Sequence, residues 1–355
     1  MTADRPCIYG ADFSLLGTIP ARGGLRDHVG RPIADPARFL RQAGFEWARL
    51  RLFHTPSGHG AQVNDLPYSL TLARTLKQAG FKFLLDLHYS DTWADPGKQY
   101  TPKAWAALDF RGLVDAVHVY TRETVDRFVA EGASPEMVQV GNEITPGMLW
   151  EHGRVARGHS ADIQQWKRLG TILKAGVAGV KEAVGHGVQI MLHLDRGGDI
   201  PTNQWFFDNV LEQNVAFDVI GESYYPFWHG MPDGLAHTIE FLGNRYGKKV
   251  LLAEMAYPHK HHAMYENALS GDPSAWHQLV GKYPLTPDGQ QRFVADVLAI
   301  VRASKHGGGV FYWAPEWIPP QDTSYEDEGD APPCWARALF DDKGQALPAL
   351  EAFSE

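Results

Sequence analysis

Two regimes of hydrophobic patterning alternate along the chain. Short, nearly continuous apolar runs are separated by stretches whose apolar residues recur at helical spacing. Gln42–Phe53 and Gln78–Tyr89 are two copies of one unit. Each closes a helical pattern, places a glycine (Gly44, Gly80) and enters an apolar run. Glycine adopts the left-handed conformation that ends a helix without a steric penalty, so it marks the turn into a strand. Gly132, Gly187, Gly247 and Gly307 to Gly309 stand in the same place before Met137–Glu143, Val188–Asp195, Lys249–Tyr257 and Val310–Trp317. Ile8–Ser14 and Phe217–Tyr225 are strand-like without that preface, which makes eight strand candidates. Helices are predicted over Pro36–Gln42, Pro67–Gln78, Leu113–Ala130, Asp162–Ala183, Leu235–Arg245 and Pro287–Ala303. Leu70, Ala73 and Leu76 show the expected spacing.

Buried strands alternating with helices imply parallel pairing with both faces covered. Eight such units predict a (β/α)8 barrel of the TIM type, a single catalytic domain over residues 1–355. An open doubly wound sheet is the alternative, but no Gly-rich phosphate fingerprint follows the first strand, and Gly23-Gly24 comes too late.

Composition narrows the function classes. Of 355 residues, 44% are apolar and 21% charged, an ordinary globular balance. No apolar run reaches the length of a membrane span. The net charge of −9 argues against a nucleic-acid partner. Cys7 and Cys334 are too few for a disulfide framework or a Cys-rich zinc site. The first lies at the bottom of the predicted barrel and the second above it, so both thiols are expected free, since a bridge needs Cα atoms within about 7 Å. Aromatic residues are abundant, with 11 Trp, 13 Tyr and 17 Phe, many beside polar groups, as sugar-binding clefts require.

The chemistry gathers at the carboxyl ends of the strands, where such barrels place their active sites. There stand Asp12, the same-face pair Arg49 and Arg51, His88 to Asp95, Asn142-Glu143, Asp195, Ser223 to Pro226, Glu254, and Tyr312 to Trp317. Packing does not explain polar groups at one end of an apolar scaffold, because a buried polar group costs free energy unless paired. Glu143 and Glu254 each follow a buried strand, the fourth and the seventh. Such a carboxylate pair is what glycoside hydrolysis needs, one as proton donor and the other, in a retaining enzyme, as nucleophile about 5 Å away.

Asn142-Glu143 and Glu254 resemble the paired residues of the clan A glycoside hydrolases, which are retaining barrels. The run His88-Tyr89-Ser90-Asp91-Thr92-Trp93-Ala94-Asp95-Pro96-Gly97-Lys98-Gln99 resembles the long signature of glycoside hydrolase family 53, the arabinogalactan endo-β-1,4-galactanases. Val138–Ile144, Gly147–Trp150, Ser223–Trp228 and Val310–Trp313 match in order, and the likeness runs from Gly10 to about Leu347. The resemblance implies cleavage of β-1,4-galactan in pectic side chains. It implies Glu143 as acid/base, Glu254 as nucleophile, Asn142 on the sugar 2-hydroxyl, and Arg49 under the nucleophile. Tyr224 or Tyr225 would contact Glu254. Trp313 would floor the sugar site, and His88, Asp91, Trp93, Asp195 and Trp317 would line neighbouring subsites. Glu143 should have a raised pKa and Glu254 a lowered one.

The chain departs from the family pattern at Glu222, Met255 and Ala314, where a small or apolar residue, a hydroxyl residue and an acid are expected. Relatives can hold calcium in the loop after the seventh strand, but Tyr257–His262 lacks the spaced oxygen donors that calcium needs, so no metal and no cofactor is expected. His259, His261 and His262 read as solvated loop residues. Glu326-Asp327-Glu328 reads as part of a solvated loop over 319–333. The expected partner is a polysaccharide, met by a monomer with no nucleic-acid or membrane contact. A polymeric substrate argues for secretion or a periplasmic location, although the N-terminus shows no signal peptide.

Overall fold

The protein was described from a computed structural model covering residues 7–156, 163–262, 265, 273–320 and 334–354. The 326–328 charge run lies outside these residues. Eight parallel strands are present: β1 (Ile8–Asp12), β2 (Trp47–Leu52), β3 (Lys82–Leu87), β4 (Met137–Val140), β5 (Gln189–Leu194), β6 (Val219–Tyr224), β7 (Lys249–Met255) and β8 (Gly307–Trp313). They close into a barrel in which each strand pairs with its sequence neighbours and β8 pairs with β1. The open-sheet alternative is thereby excluded. A two-stranded hairpin, Gly147–Met148 with Gly153–Arg154, was not expected from the pattern.

The helices between strands are α1 (Pro36–Gln42), α2 (Leu66–Gln78), α3 (Phe110–Ala130), α4 (Ile163–Val184), α5 (Ile200–Glu212), α6 (Pro226–His229), α7 (Pro232–Tyr246), α8 (Pro273–Lys282) and α9 (Pro287–Ala303). Asp35, Asp65, Asp109, Asp199 and Thr286 cap α1, α2, α3, α5 and α9 by accepting a first-turn N–H. The sequence pattern missed α5, α6 and α8; in α5 the apolar residues Ile200, Trp205, Phe206, Phe207, Val210 and Leu211 are spread around the helix, so no single stripe stands out. Gly44 and Gly80 are left-handed at φ 104° and 88°, as the repeat predicts. Before β5 that role falls to Gly185 instead of Gly187.

Strand side chains alternate between the barrel interior and the helix layer. The lower interior is apolar: Trp47, Leu84, Met137, Met191, Val219, Leu251 and Phe311 pack together. Two residues further up, the same faces carry Arg49, Asp86, Gln139, His193 and Trp313. Polarity thus changes sharply from one interior layer to the next.

Two backbone departures aim the upper layer. β7 holds one extra residue relative to both neighbours: Leu252 and Glu254 face the consecutive β6 residues Glu222 and Ser223, while Leu252 and Met255 face Val310 and Tyr312. Strict alternation from Leu251 would turn Glu254 outward; the bulge turns it in. Directly after β4, Gly141 (φ 83°) and Glu143 (φ 47°) are both left-handed. Tyr89 and Ala314, after β3 and β8, share that conformation at φ 50°. Such strained residues gather where side chains must be aimed.

A Cβ at Gly141 would stand 2.6 Å from Ile144 Cγ2. Gly141→Ala should therefore cost at least about 1 kcal/mol and lower activity, since it carries Asn142 and Glu143. A denaturant melt unchanged from wild type would contradict this reading of the turn.

Candidate active site

The upper interior layer is one hydrogen-bonded network centred on Arg49. Its Nη1 donates to Asp12 Oδ2 at 2.8 Å and its Nε to Gln139 Oε1 at 3.2 Å. Nη2 lies 2.8 Å from Asp86 Oδ2, 2.7 Å from Asn142 Oδ1 and 3.1 Å from Glu254 Oε1. All are buried, so these charges are screened little. Tyr225 donates its hydroxyl to Glu254 Oε2 at 2.8 Å, so both Glu254 oxygens are held.

A second chain of contacts reaches Glu143. Ser223 donates to Glu143 Oε1 at 2.6 Å, and His193 Nε2 lies 2.9 Å from the Ser223 hydroxyl. Gln139 Nε2 stands 3.1 Å from His193 Nδ1 and donates to Asp86 Oδ1 at 2.7 Å. Burial, followed by the Arg49 charge, pushes the His193 pKa well down, so its ring is neutral. The neutral ring carries one N–H: Nε2 faces the Ser223 hydroxyl, while Nδ1 lies between Gln139 Nε2 and Asn142 Oδ1, the latter 2.9 Å away.

One carboxylate oxygen from Glu143, one from Glu254 and a ring nitrogen of His193 lie within 4.8 Å of one another. The three could in principle hold a cation. Their donor atoms are committed instead to Ser223, Arg49 and Tyr225, which suits a working carboxylate pair better. The spacing is that of retaining glycosidases and leaves no room for the water that an inverting pair encloses.

Burial raises the pKa of Glu143 well above the carboxylate range, and the neighbouring Glu254 charge adds to this. Glu254 was expected to be lowered. Burial raises it too, while Arg49 and the Tyr225 hydrogen bond oppose the rise. What survives of the expectation is the order: among the described residues the cation paired at this site is on Glu254, so Glu254 ionises first.

The network floors a cavity of about 480 Å³, within the ~300–1,000 Å³ range of ligand sites. Trp93, Trp313 and Trp317 form one wall; the rings of Trp93 and Trp317 are parallel at 4°, with centroids 6.2 Å apart. The Arg51 guanidinium lies 4.3 Å from the Trp93 ring and fixes it from below. Asp195 also lines the cavity, accepting from Thr145 at 2.6 Å and pairing with Arg196 at 3.0 Å. Burial lifts its pKa to about 6.

Arg49, His88, Trp93, Asn142, Glu143, Asp195, Tyr225, Glu254, Trp313 and Trp317 therefore meet at one cavity, as the sequence suggested. Two candidates do not line it. Asp91 accepts the N–H groups of Thr55 and Lys103 at 3.1 and 2.9 Å and ties loops together behind the wall. Tyr224 donates to the Gly230 carbonyl in the helix layer. Alternation decides between the tyrosines: Ser223 and Tyr225 face in, so Glu222 and Tyr224 face out. His259 is also corrected; it is buried, with its N–H on the Ala336 carbonyl. Both cysteines are free, and Cys334 borders the cavity.

Sequence reasoning missed the supporting roles of Asp12, Asp86, Gln139, His193 and Ser223, and the lining residues Arg196, Trp228 and Arg337. Polar residues at even spacing above apolar floor positions were the available signal for the first group. Arg337 arrives from the segment after β8, and no local pattern announces it.

Comparison with known proteins agrees with this geometry. The model of glycosyl hydrolase family 53 matches residues 8–353. An uncharacterized protein of the bgaB 5' region in Niallia circulans is 39% identical, covering 97% of this chain and 93% of its own. An arabinogalactan endo-β-1,4-galactanase of Cellvibrio japonicus is 34% identical, covering 99% and 91%. The family 53 catalytic domain of Ignisphaera aggregans superimposes with a TM-score of 0.84 at 34% identity, over 98% of this chain and 95% of that one. With the paired carboxylates in place, the match over nearly the whole chain makes this protein a glycoside hydrolase, a member of glycosyl hydrolase family 53.

Proposed function

We propose that the enzyme is a retaining endo-β-1,4-galactanase and that Glu143 and Glu254 carry the reaction. The observation that carries this reading is the pair of carboxyls within 4.8 Å, one gripped by Arg49 and Tyr225 and the other, among the described residues, by Ser223. The substrate class comes from relatives named as galactanases, at 31% identity in Bacillus subtilis and 34% in Cellvibrio japonicus.

The steps follow from the protonation order. Glu254, ionised, attacks the anomeric carbon as the glycosidic bond breaks. Glu143, neutral, gives its proton to the leaving oxygen. The bond electrons leave with that oxygen and a glycosyl ester forms on Glu254. Loss of the Glu254 charge reduces the field on Glu143, which is now ionised and takes a proton from water. The water oxygen attacks the same carbon and frees Glu254. Tyr225 stays protonated throughout, because burial and the Glu254 charge hold its phenol well above its ordinary pKa. Asn142, oriented by Arg49 and by its donation to the Ala94 carbonyl at 2.8 Å, is placed to meet the sugar 2-hydroxyl. The tryptophan wall supplies flat apolar area for a galactose face. A pectic polysaccharide is an extracellular material, and this supports work outside the cytoplasm as part of the proposal.

Product analysis on β-1,4-galactan tests the reading. Wild type should release short galacto-oligosaccharides, and Glu143→Ala and Glu254→Ala should each lose at least about a thousandfold in kcat. A folded wild type that leaves galactan intact but cuts another β-glycan would move the assignment to a different clan A activity. The pH profile gives a second test. Glu143 must be protonated, so its raised pKa sets the alkaline limb of kcat/KM. The Ser223 hydrogen bond lowers that pKa. Ser223→Ala should therefore shift the alkaline limb to higher pH; a downward shift would contradict the assignment.

A further inference from the structure

Arg337 is a buried cation with no carboxylate paired to it among the described residues. It is 4% exposed, lies in a short turn at Trp335–Arg337 and borders the active-site cavity. Its Nη2 donates to Cys334 Sγ, and its Nε is buried without a partner. Aromatic rings surround it instead. The guanidinium carbon lies 4.8 Å from the centre of the Trp313 ring, 5.0 Å from that of Tyr225 and 6.0 Å from that of Tyr265. A guanidinium is planar and weakly hydrated, so ring faces can offset part of the cost of burying it.

The main chain of this residue is anchored from the helix layer. The Tyr312 hydroxyl donates to the Arg337 carbonyl at 2.6 Å, and Gln290 Nε2, from α9, reaches the same carbonyl at 3.3 Å. Gln290 also donates to the carbonyls of Ala338 at 2.9 Å and Tyr257 at 2.8 Å, which joins this turn to the end of β7. Tyr312 is the outward neighbour of Trp313 on β8. The strand therefore holds Arg337 by its main chain on the outside and meets its side chain at the indole within. The other ring in contact, Tyr225, donates its hydroxyl to Glu254 Oε2. One side chain thus bears on the floor of the sugar site and on the hydrogen-bond partner of the nucleophile.

We propose that Arg337 is a positioning residue whose guanidinium fixes the Trp313 floor by stacking and, through the Tyr225 ring, strengthens the hydrogen bond that keeps Glu254 ionised. A positive charge beside a phenol makes its O–H a stronger donor. Burial and the Glu254 charge raise the Tyr225 pKa, and the Arg337 charge opposes them. The titratable groups facing the guanidinium are Cys334 on its own segment, Tyr225 after β6, and His262 and Tyr265 after β7. Burial pushes the Cys334 thiol up, so its sulfur stays a neutral acceptor. Burial and then the Lys260 charge push His262 down. The sign of the pH effect follows. Without the cation Tyr225 is a weaker donor, so Glu254 ionises at higher pH and the acid limb of kcat/KM moves up. The proposal rests on Glu254 being the nucleophile.

Arg337→Met and Arg337→Lys separate the charge from the plane. Methionine removes both and should move the acid limb up by at least about 0.5 pH unit. Lysine keeps the charge and should leave the acid limb in place, while raising KM about fivefold, the weight of one lost stacking contact. In a Tyr225→Phe background the Arg337→Met shift should shrink to less than about half, because the hydroxyl that carries it is gone. An unmoved acid limb in Arg337→Met, an equal shift in Arg337→Lys, or a full shift without the Tyr225 hydroxyl would overturn the proposal. If Arg337→Met does not fold, Arg337→Lys decides: a wild-type KM or a displaced acid limb would overturn it. All comparisons use one substrate that wild type cleaves, whether or not it is galactan. An active Glu254→Ala variant would overturn the nucleophile reading and this one together. An inactive Glu254→Ala beside an unmoved acid limb in Arg337→Met would overturn this one alone.

Discussion

Everything at the cavity floor depends on one buried cation. Arg49 touches residues from β1, β3, β4 and β7, so the guanidinium joins four strands across the barrel. A buried charge must be compensated, and the planar fork of arginine meets several acceptors at once. Asp12 and Asp86 offset the cost of burying Arg49. Glu254 then receives a share of a field that is already fixed. Losing the cation would leave the buried carboxyls of Asp12, Asp86 and Glu254 without the charge they share, and what sets Glu254 apart from Glu143 would be gone.

The backbone does the aiming. An extra residue in β7 turns Glu254 inward, and a left-handed pair at Gly141 and Glu143 turns the partner carboxyl toward it. Regular strands would present one of these groups to the helices. Strain is thus concentrated at a few strand ends, and the strands below, packed on an apolar floor, are regular enough to bear it.

Most of the architecture was legible because it rests on periodicity. Apolar runs, glycine stops and helical spacing are local signals, and they located all eight strands. The helix α5 escaped because its apolar residues are spread around the helix and mark no single face. The carboxylate pair was legible because two acids at matching strand ends have no packing explanation. The supporting network was not, because Gln139, His193 and Ser223 matter only through neighbours on other strands. The choice between Tyr224 and Tyr225 needed the inward and outward parity of β6. Asp91 sits inside a specific motif, yet its carboxylate serves the loops, which shows that a motif identifies a segment and leaves each side chain's task open. The pKa of Glu254 was misjudged because the cation beside it was legible and the depth of burial was not.

The account turns on Glu254 being the atom donor that forms the bond to sugar. A β-galactoside with fluorine at C2 and an activated leaving group slows release of the glycosyl ester and allows it to be captured. Peptide mass spectrometry of the quenched enzyme should place one fluorogalactosyl group on Glu254, with none on the Glu254→Gln variant. A label on Glu143 or on another carboxylate would contradict the account, as would rapid turnover of this substrate to the inverted anomer without any labelled peptide.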